Sequence, residues 1–435
     1  MITSEQITAA IQKHKKELPR LQKLHKYYNG QHDILNRVLE DPLKPNNKIV
    51  TGYPSLIINT LVGFFASKPL SYLSMSNNEK FLLDLKRIFY LNDEEDINAE
   101  IVKDFSIYGK TYELYWIDEN DGSVRFAEYS PIEMYVEKDK RDNVKFAIRY
   151  WDEEKDDKTK VTYVEAYDHE GIYYRISNDG GIFLPDPNEP DREHFFGETP
   201  VNIYRNNKEE IGDFESYIPM IDALDKLLSD NSNEIESWVN AYLVLAGHNG
   251  TSSEDILKLR QDGVLLVEDI KQAAFLTKSV NTEFQQQFFE TLDTLIHDQS
   301  GTPKLTSEKF SSNLSGEALG FKLFSLETKA TTKERKMEKA LRKRIKFICT
   351  ILNKQGAEYD PSDIHFNFVR NLPQDEAKVT DQITKMVNIV DRKTLLSWHP
   401  KITDVDLVLK RLAEENDTVQ LDNVKRTDTK LDAVE

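Results

Sequence analysis

Residues 301–344 read GTPKLTSEKFSSNLSGEALGFKLFSLETKATTKERKMEKALRKR, a loop that runs into a long helix, and this junction organises the chain around it. The first fourteen residues, 301–314, are rich in Gly, Ser, Thr and Pro and read as a loop. Ser315 can cap the helix that follows. Met337, Leu341, Ile345, Ile348 and Leu352 recur three or four residues apart, so one helix of about forty residues is expected, ending near Asn353. The same helix carries Lys333, Arg335, Lys336, Lys339, Arg342, Lys343, Arg344 and Lys346, opposed only by Glu334 and Glu338. The whole chain has 57 Lys+Arg against 75 Asp+Glu and a formal charge of −18. A basic helix in an acidic chain is a segregated stripe. It marks Lys333, Lys336, Lys339, Arg342 and Lys343 as candidates for contact with phosphates or with an acidic neighbouring subunit. A solvated helix face is the alternative.

Upstream lies a helix–module–helix unit. In 214–240, Ile221, Leu228 and Ile235 stand seven apart, with Leu224 and Trp238 at the intervening positions and Asn231 as a polar exception. Such a seam wants a partner helix, although an ordinary amphipathic helix on its own core has the same signature. Residues 241–282 form a small module. Apolar runs at 241–246 and 264–267 flank a helix-like 253–260, and a short strand is expected at 273–277. Asn281 or Thr282 then caps a helix over 283–300 with Phe288, Leu292, Leu295 and Ile296 on one face.

The N-terminal part divides by period. Residues 1–106 read as helices, including 55–67, 78–90 and 94–107, with Pro42 and Pro45 in a loop between them. From Thr111 the period becomes two. Strands are expected at 111–117, 123–129, 134–137, 144–151, 161–168 and 171–176, as one antiparallel meander. A last helical unit covers about 375–414, and 414–435 is acidic, polar and expected to be disordered. The fold class is α+β, predominantly α-helical.

Composition excludes several functions. An excess of acid over base rules out a bulk-basic DNA-wrapping protein. Cys349 is the single cysteine, so no intramolecular disulfide and no cysteine-based zinc cluster can form, and a cytosolic setting is the simplest reading. The apolar run LIINTLVGFFA at 56–66 is short of the ~20 residues a membrane helix needs, and no export segment is visible, so a soluble protein is expected. Gly109-Lys110-Thr111 resembles the end of a phosphate-binding loop. The required earlier glycine is Asp104, and the order is helix-then-strand; a glycine ending a helix is the better reading. No zincin pair exists among nine histidines, and no serine-nucleophile elbow or paired catalytic carboxylates stand out. No catalytic residue, metal site or cofactor is expected.

Several segments together resemble a known family. They are YYNGQHDILNR (27–37), KPNNKIVTGYPSLIINTLVGFFASKPLSY (44–72), YGKTYELYW (108–116), SPIEMYV (130–136), AIRYW (147–151), GETPVNIYRNN (197–207), FESYIPMIDALDKLLSDNSNEIES (214–237) and the 311–344 stretch. In this order they resemble the portal protein of tailed bacteriophages with long non-contractile tails. The resemblance covers most of 20–370.

It implies a dodecameric ring at one capsid vertex, the channel through which double-stranded DNA is packaged and ejected. It implies a wing (1–213), a stem helix (214–240), a clip (241–282), a second stem helix (283–300), a tunnel loop (301–315), a long wing helix (316–356), a crown (357–413) and the tail (414–435). Lys304, Ser307, Lys309, Phe310, Ser311 and Asn313 would then belong to the loop facing DNA. Ile221, Leu224, Leu228, Ile235 and Trp238 would pack between subunits. Implied partners are the terminase large subunit, a head–tail connector or adaptor, and the major capsid and scaffolding proteins, with no membrane. The setting would be the virion, after assembly in the host bacterial cytoplasm. A non-channel head structural or adaptor protein, oligomerising through its long helices, is the competing expectation.

Overall fold

A computed structural model describes residues 2–42, 44–154, 160–178, 180–239, 242–246, 264–267, 275–276, 282–304, 316–371, 376–399 and part of 402–415. Helix α1 (Ser4–Tyr28) starts at a capping box in which Thr3 and Gln6 exchange side-chain-to-backbone bonds. Helix α2 (Tyr53–Phe65) has Pro54 in its first turn, where no amide is needed. Strand β1 (Ser71–Ser74) leads to α3 (Glu79–Leu91), capped by Asn78, and to α4 (Glu94–Tyr108), whose first turn is acidic as the helix dipole favours. Gly109 ends α4 at φ 90°, with Glu210 O only 2.0 Å from where a Cβ would sit. Lys110 follows directly as the first residue of a strand, so the helix-then-strand order holds and there is no phosphate-binding loop at this position.

Strands β2 (Lys110–Ile117), β3 (Val124–Tyr129), β4 (Met134–Lys138), β5 (Val144–Glu154), β6 (Lys160–Tyr167), β7 (Gly171–Ser177), β8 (Leu184–Pro185), β9 (Arg192–Glu193) and β10 (Val201–Arg205) come next. The six longer strands read from the sequence are present within a few residues. The single meander is not. β10 pairs with β2 and β2 with β3 in one sheet, while β4 to β8 run in order in another, with β9 against β7. The cause is visible in β2, where six consecutive residues are buried. Tyr115 faces Ile345, Phe347 and Ile348, whereas Tyr112 and Leu114 face Met134, Val136 and Ala147 of the second sheet. A strand buried on both faces needs cover on each side, and the second sheet supplies one of them.

Helix α5 (Ile218–Val239) precedes β11 (Tyr242–Ala246), β12 (Val264–Val267) and β13 (Phe275–Leu276). β11 runs parallel to β12 and antiparallel to β13. The helix expected at 253–260 lies outside the described residues. Helix α6 (Thr282–Ser300) and the 39-residue α7 (Gly316–Lys354) follow close to their expected bounds.

Beyond α7, strand β14 (Ile364–Asn367) pairs with β1, and Asp363 accepts from the Ser74 hydroxyl at 2.5 Å and the Ser76 amide at 2.7 Å. Residues 357–370 therefore lie in the first compact unit, Met1–Arg370, and a second unit begins at Asn371. That second unit contains α8 (Glu376–Met386) and α9 (Arg392–Ser397), the latter capped by Asp391. The tail beyond 415 lies outside the described residues.

Candidate functional site

The cations of α7 divide by helical face. Lys333 and Arg344 fall on the same stripe as Met337, Leu341, Ile345 and Ile348, and both are buried. Lys333 Nζ lies 2.7 Å from Asp213, donates to Ser106 at 3.1 Å and to Asn206, and sits 4.9 Å above the Phe105 ring. Burial pushes its pKa down, against the pull of Asp213. Its ammonium is held inside the chain rather than offered outward.

Arg344, fully buried, ties three elements. Its Nη2 lies 2.6 Å from Glu113 on β2, and its Nη1 donates to Glu94 at 3.2 Å and to Asn98 at 2.8 Å on α4. Glu113 also accepts from Tyr204 at 2.8 Å and from Tyr115, and Glu94 accepts from Tyr72. The carboxylates that match these cations come from residues far away in sequence.

Lys336, Lys339, Lys343 and Lys346 recur at spacings of three and four on a different face. With Arg342 they line an open cleft of about 820 Å³, closed on the other side by Asp142–Lys145, His169, Gly197–Thr199 and the β10 residues Asn202, Ile203 and Arg205. Lys343 donates to Val201 O at 3.0 Å and lies 5.1 Å over Phe347. Burial, opposed by Glu198 and aided by Lys346, lowers Lys343 to about 8. Arg342 pairs with Glu338 at 2.5 Å.

The two long helices α5 and α6 pack on each other and on the N-terminal segment. Ile221 and Leu224 are buried in one cluster with Leu292 and Ile296 of α6, Leu21 and Leu24 of α1, and Ile57 and Ile58 of α2. Leu228 is half-buried and Ile235 is 66% exposed. Trp238 lies in the last turn of α5, its side chain outside the described residues. The expected seam without a local partner is thus occupied by the chain itself at Ile221 and Leu224, because α6 and α1 return to that end of α5.

A polar stripe along α5 accounts for the other side. Asp222 accepts from Tyr27 at 2.6 Å, and Asp225 accepts from the Thr51 amide and hydroxyl at 2.8 and 2.7 Å. His32 Nδ1 lies 2.5 Å from Asp225 with both side chains fully buried. Ser229 accepts from the Ile49 amide at 2.9 Å, Asn233 from the Asn47 amide at 2.7 Å and Glu236 from the Asn47 side chain at 2.7 Å. The positions 222, 225, 229, 233 and 236 follow helical spacing. That pattern is readable in the sequence as the face that holds segment 27–51, but heptad counting passes over polar residues.

The base of the loop 301–315 is anchored. Gly301 has φ 65°, where glycine is favoured, and a Cβ there would lie 3.3 Å from Ser325 of α7. The Thr302 amide donates to His297 O at 3.1 Å, and His297 Nδ1 lies 2.8 Å from Thr302 O. Asp293 pairs with Lys304, accepts from Tyr53 at 2.5 Å and faces His297 Nε2 at 3.4 Å. Burial works to raise the Asp293 carboxyl, yet Lys304 and Tyr53 outweigh it and hold it below the usual range. Lys304 is therefore placed at the loop's root, in an ion pair. Ser307, Lys309, Phe310, Ser311 and Asn313 lie outside the described residues.

Among the described residues no group of three or more His, Cys, Asp or Glu is arranged to hold a metal ion, and no helix is long and apolar enough to cross a membrane. Cys349 is buried.

The model of the family described as "Phage portal protein, SPP1 Gp6-like" matches residues 8–421. A portal protein of Bacillus phage SPP1 is 23% identical over 403 residues, covering 88% of this chain and 79% of the relative. A portal protein of Clostridium phage phiCD119 is 24% identical over 424 residues, covering 89% of this chain and 91% of the relative.

Proposed function

This chain belongs to the phage portal protein family, and we propose that it assembles as a dodecameric ring at one capsid vertex and conducts double-stranded DNA during packaging and ejection. The role is structural rather than enzymatic. The observation that carries it is the apolar surface left on the two long helices. Ile235 of α5 is 66% exposed, and on α6 Phe284 and Phe288 are 62% and 41% exposed. An apolar row on helices already packed along one side is what a neighbouring subunit would cover.

In this reading α5 and α6 are the stem and 241–282 is the clip, which docks the terminase large subunit during filling and the head–tail connector afterwards. The loop 301–315 follows the duplex, with Lys309, Ser311 and Asn313 near phosphates and Lys304 fixing the loop's root. Residues 1–213 together with α7 form the wing, which meets capsid and scaffolding proteins, and 357–413 form the crown. The acidic balance suits DNA as cargo, since repulsion reaching about 8 Å from the wall discourages tight phosphate binding.

Purified protein imaged in negative stain tests the proposal. Rings of twelve with a central hole wide enough for a duplex are expected. Monomers at every salt concentration would overturn it, and rings without such a hole would favour a non-channel head component.

A further inference from the structure

We propose that the basic cleft between α7 and β10 is a docking site for an acidic peptide segment of a partner protein, gripped through its side-chain carboxylates. The cleft brings together Lys336, Lys339 and Lys343 of α7 with Lys145 of β5. None of these four has a carboxylate within ion-pairing distance among the described residues. The two acids in the lining are already engaged, Asp142 by Arg205 at 2.7 Å and Glu198 by Lys346. The recess thus carries net positive charge in a chain of −18. Fields of one sign are focused in such a recess, and a complementary partner discharges them.

The size is that of a ligand cleft, about 820 Å³ against the ~300–1,000 Å³ typical of binding pockets. Two features favour a peptide with carboxylates over other occupants. A DNA duplex presents phosphates on a convex surface, whereas these ammonium groups line a concave one broken by fixed carboxylates at Asp142 and Glu198. Strand addition to β10 is also blocked. The Val201 amide donates to Thr199 O at 2.7 Å, the Val201 carbonyl accepts from Lys343, and the Ile203 amide donates to the Asn202 side chain at 3.0 Å. With the strand edge occupied, recognition falls to side chains meeting side chains. Lys343 strengthens the case. Its ammonium is partly desolvated already, so a carboxylate arriving there restores a partner at low cost in further desolvation.

The test uses the full chain and a fluorescein-labelled peptide of alternating Glu and Asp, followed by anisotropy at 0.05 and 0.15 M salt. Saturable binding is expected, weakened at least tenfold by Lys336→Glu with Lys339→Glu and weakened less by the Gln pair. The control reversal Lys385→Glu with Lys410→Glu, on the second unit, should leave it unchanged. Thermal melts establish that each variant is folded. No peptide binding, or binding indifferent to the cleft reversal, overturns the proposal. So does a duplex that outcompetes the peptide, or inorganic phosphate that displaces it at equal anion concentration. Sedimentation supplies the last arm: if the cleft reversal dissolves the protein's own oligomer, the cleft is an interface between copies and the peptide proposal fails.

Discussion

Replacing Arg344 by Leu should lower the stability of the first unit by about 3–5 kcal/mol, the cost of removing one partner from a buried ion cluster. The size follows from what remains. Glu113 is fully buried and Glu94 nearly so, and the arginine is their shared cation. Glu113 would keep only the Tyr115 and Tyr204 hydroxyls, and Glu94 only Tyr72 and Asn98. Burial already raises the Glu94 carboxyl above its usual range, with Arg344 as the strongest opposing influence. Without Arg344 that carboxyl rises further, toward its protonated form.

The sign of the pH dependence follows. A carboxyl whose folded pKa exceeds its unfolded value binds more protons in the folded state, so stability falls as pH rises between the two. The deficit of Arg344→Leu should therefore be larger at pH 8 than at pH 5. At ~2.1 cal/mol/K per residue, the 370 residues of the first unit give an unfolding entropy of about 0.8 kcal/mol/K. A loss of ~4 kcal/mol then moves Tm by ~5 °C. Differential scanning calorimetry at pH 5 and 8 measures both quantities. A shift below 1 °C, or one equal at the two pH values, would refute Arg344 as the counter-charge. Adding Glu113→Gln to Arg344→Leu should recover part of the loss, because it removes one orphaned charge.

Three further outcomes are expected. Asp104, half-buried beside Glu128, is pushed well above the usual carboxylate range by desolvation first and by Glu128 second; since the folded state then holds the extra proton, stability falls with rising pH, and Asp104→Asn should raise Tm more at pH 8 than at pH 4. Lys304→Ala removes the cation paired with Asp293 at the loop's root, where the lysine side chain is half exposed; global stability should change by less than ~1 kcal/mol, while chymotrypsin cleavage after Phe310 accelerates several-fold in limited proteolysis. Ile235→Asp with Phe288→Asp should leave the chain's melting nearly unchanged, as exposed substitutions do, and reduce high-mass species in mass photometry; Ile221→Asp, placed in the intrachain cluster, should instead lower Tm.

Local periodicity carries most of the elements. The strands between Lys110 and Ser177, the helices α2 to α4, the pair α5 and α6, and the long α7 all announce themselves by alternation or by apolar spacing. What periodicity misses is long-range. β10 joins β2 from some ninety residues away, and β14 joins β1 from almost three hundred. Nothing local encodes such pairing, so the alternation reads as one meander where two sheets form. The basic stripe misleads differently. Its charge count is right, but Lys333 and Arg344 sit four before Met337 and three after Leu341, on the buried face. Helical phase, which is written in the spacing of the residues themselves, separates this pair from Lys336, Lys339 and Lys343.

That phase difference gives the acidic chain two uses for its cations that a net charge of −18 merges. Inside, Arg344 and Lys333 hold α7 against β2, β10 and α4, where low dielectric and fixed geometry make each charge matter to folding and salt cannot reach it. Outside, half-buried Lys336 and exposed Lys339 line the open cleft, where pairing with the chain's own acids would contribute little and an incoming anion makes use of them. The two sets should therefore separate cleanly under one variable, ionic strength. Raising salt from 0.05 to 0.5 M should leave the Arg344→Leu deficit unchanged, while the binding deficit of the Lys336/Lys339 reversal shrinks as screening removes the attraction being reversed. If the Arg344 deficit shrank in parallel, water and ions would reach the Glu113 cluster, and the division between interior and cleft would not hold.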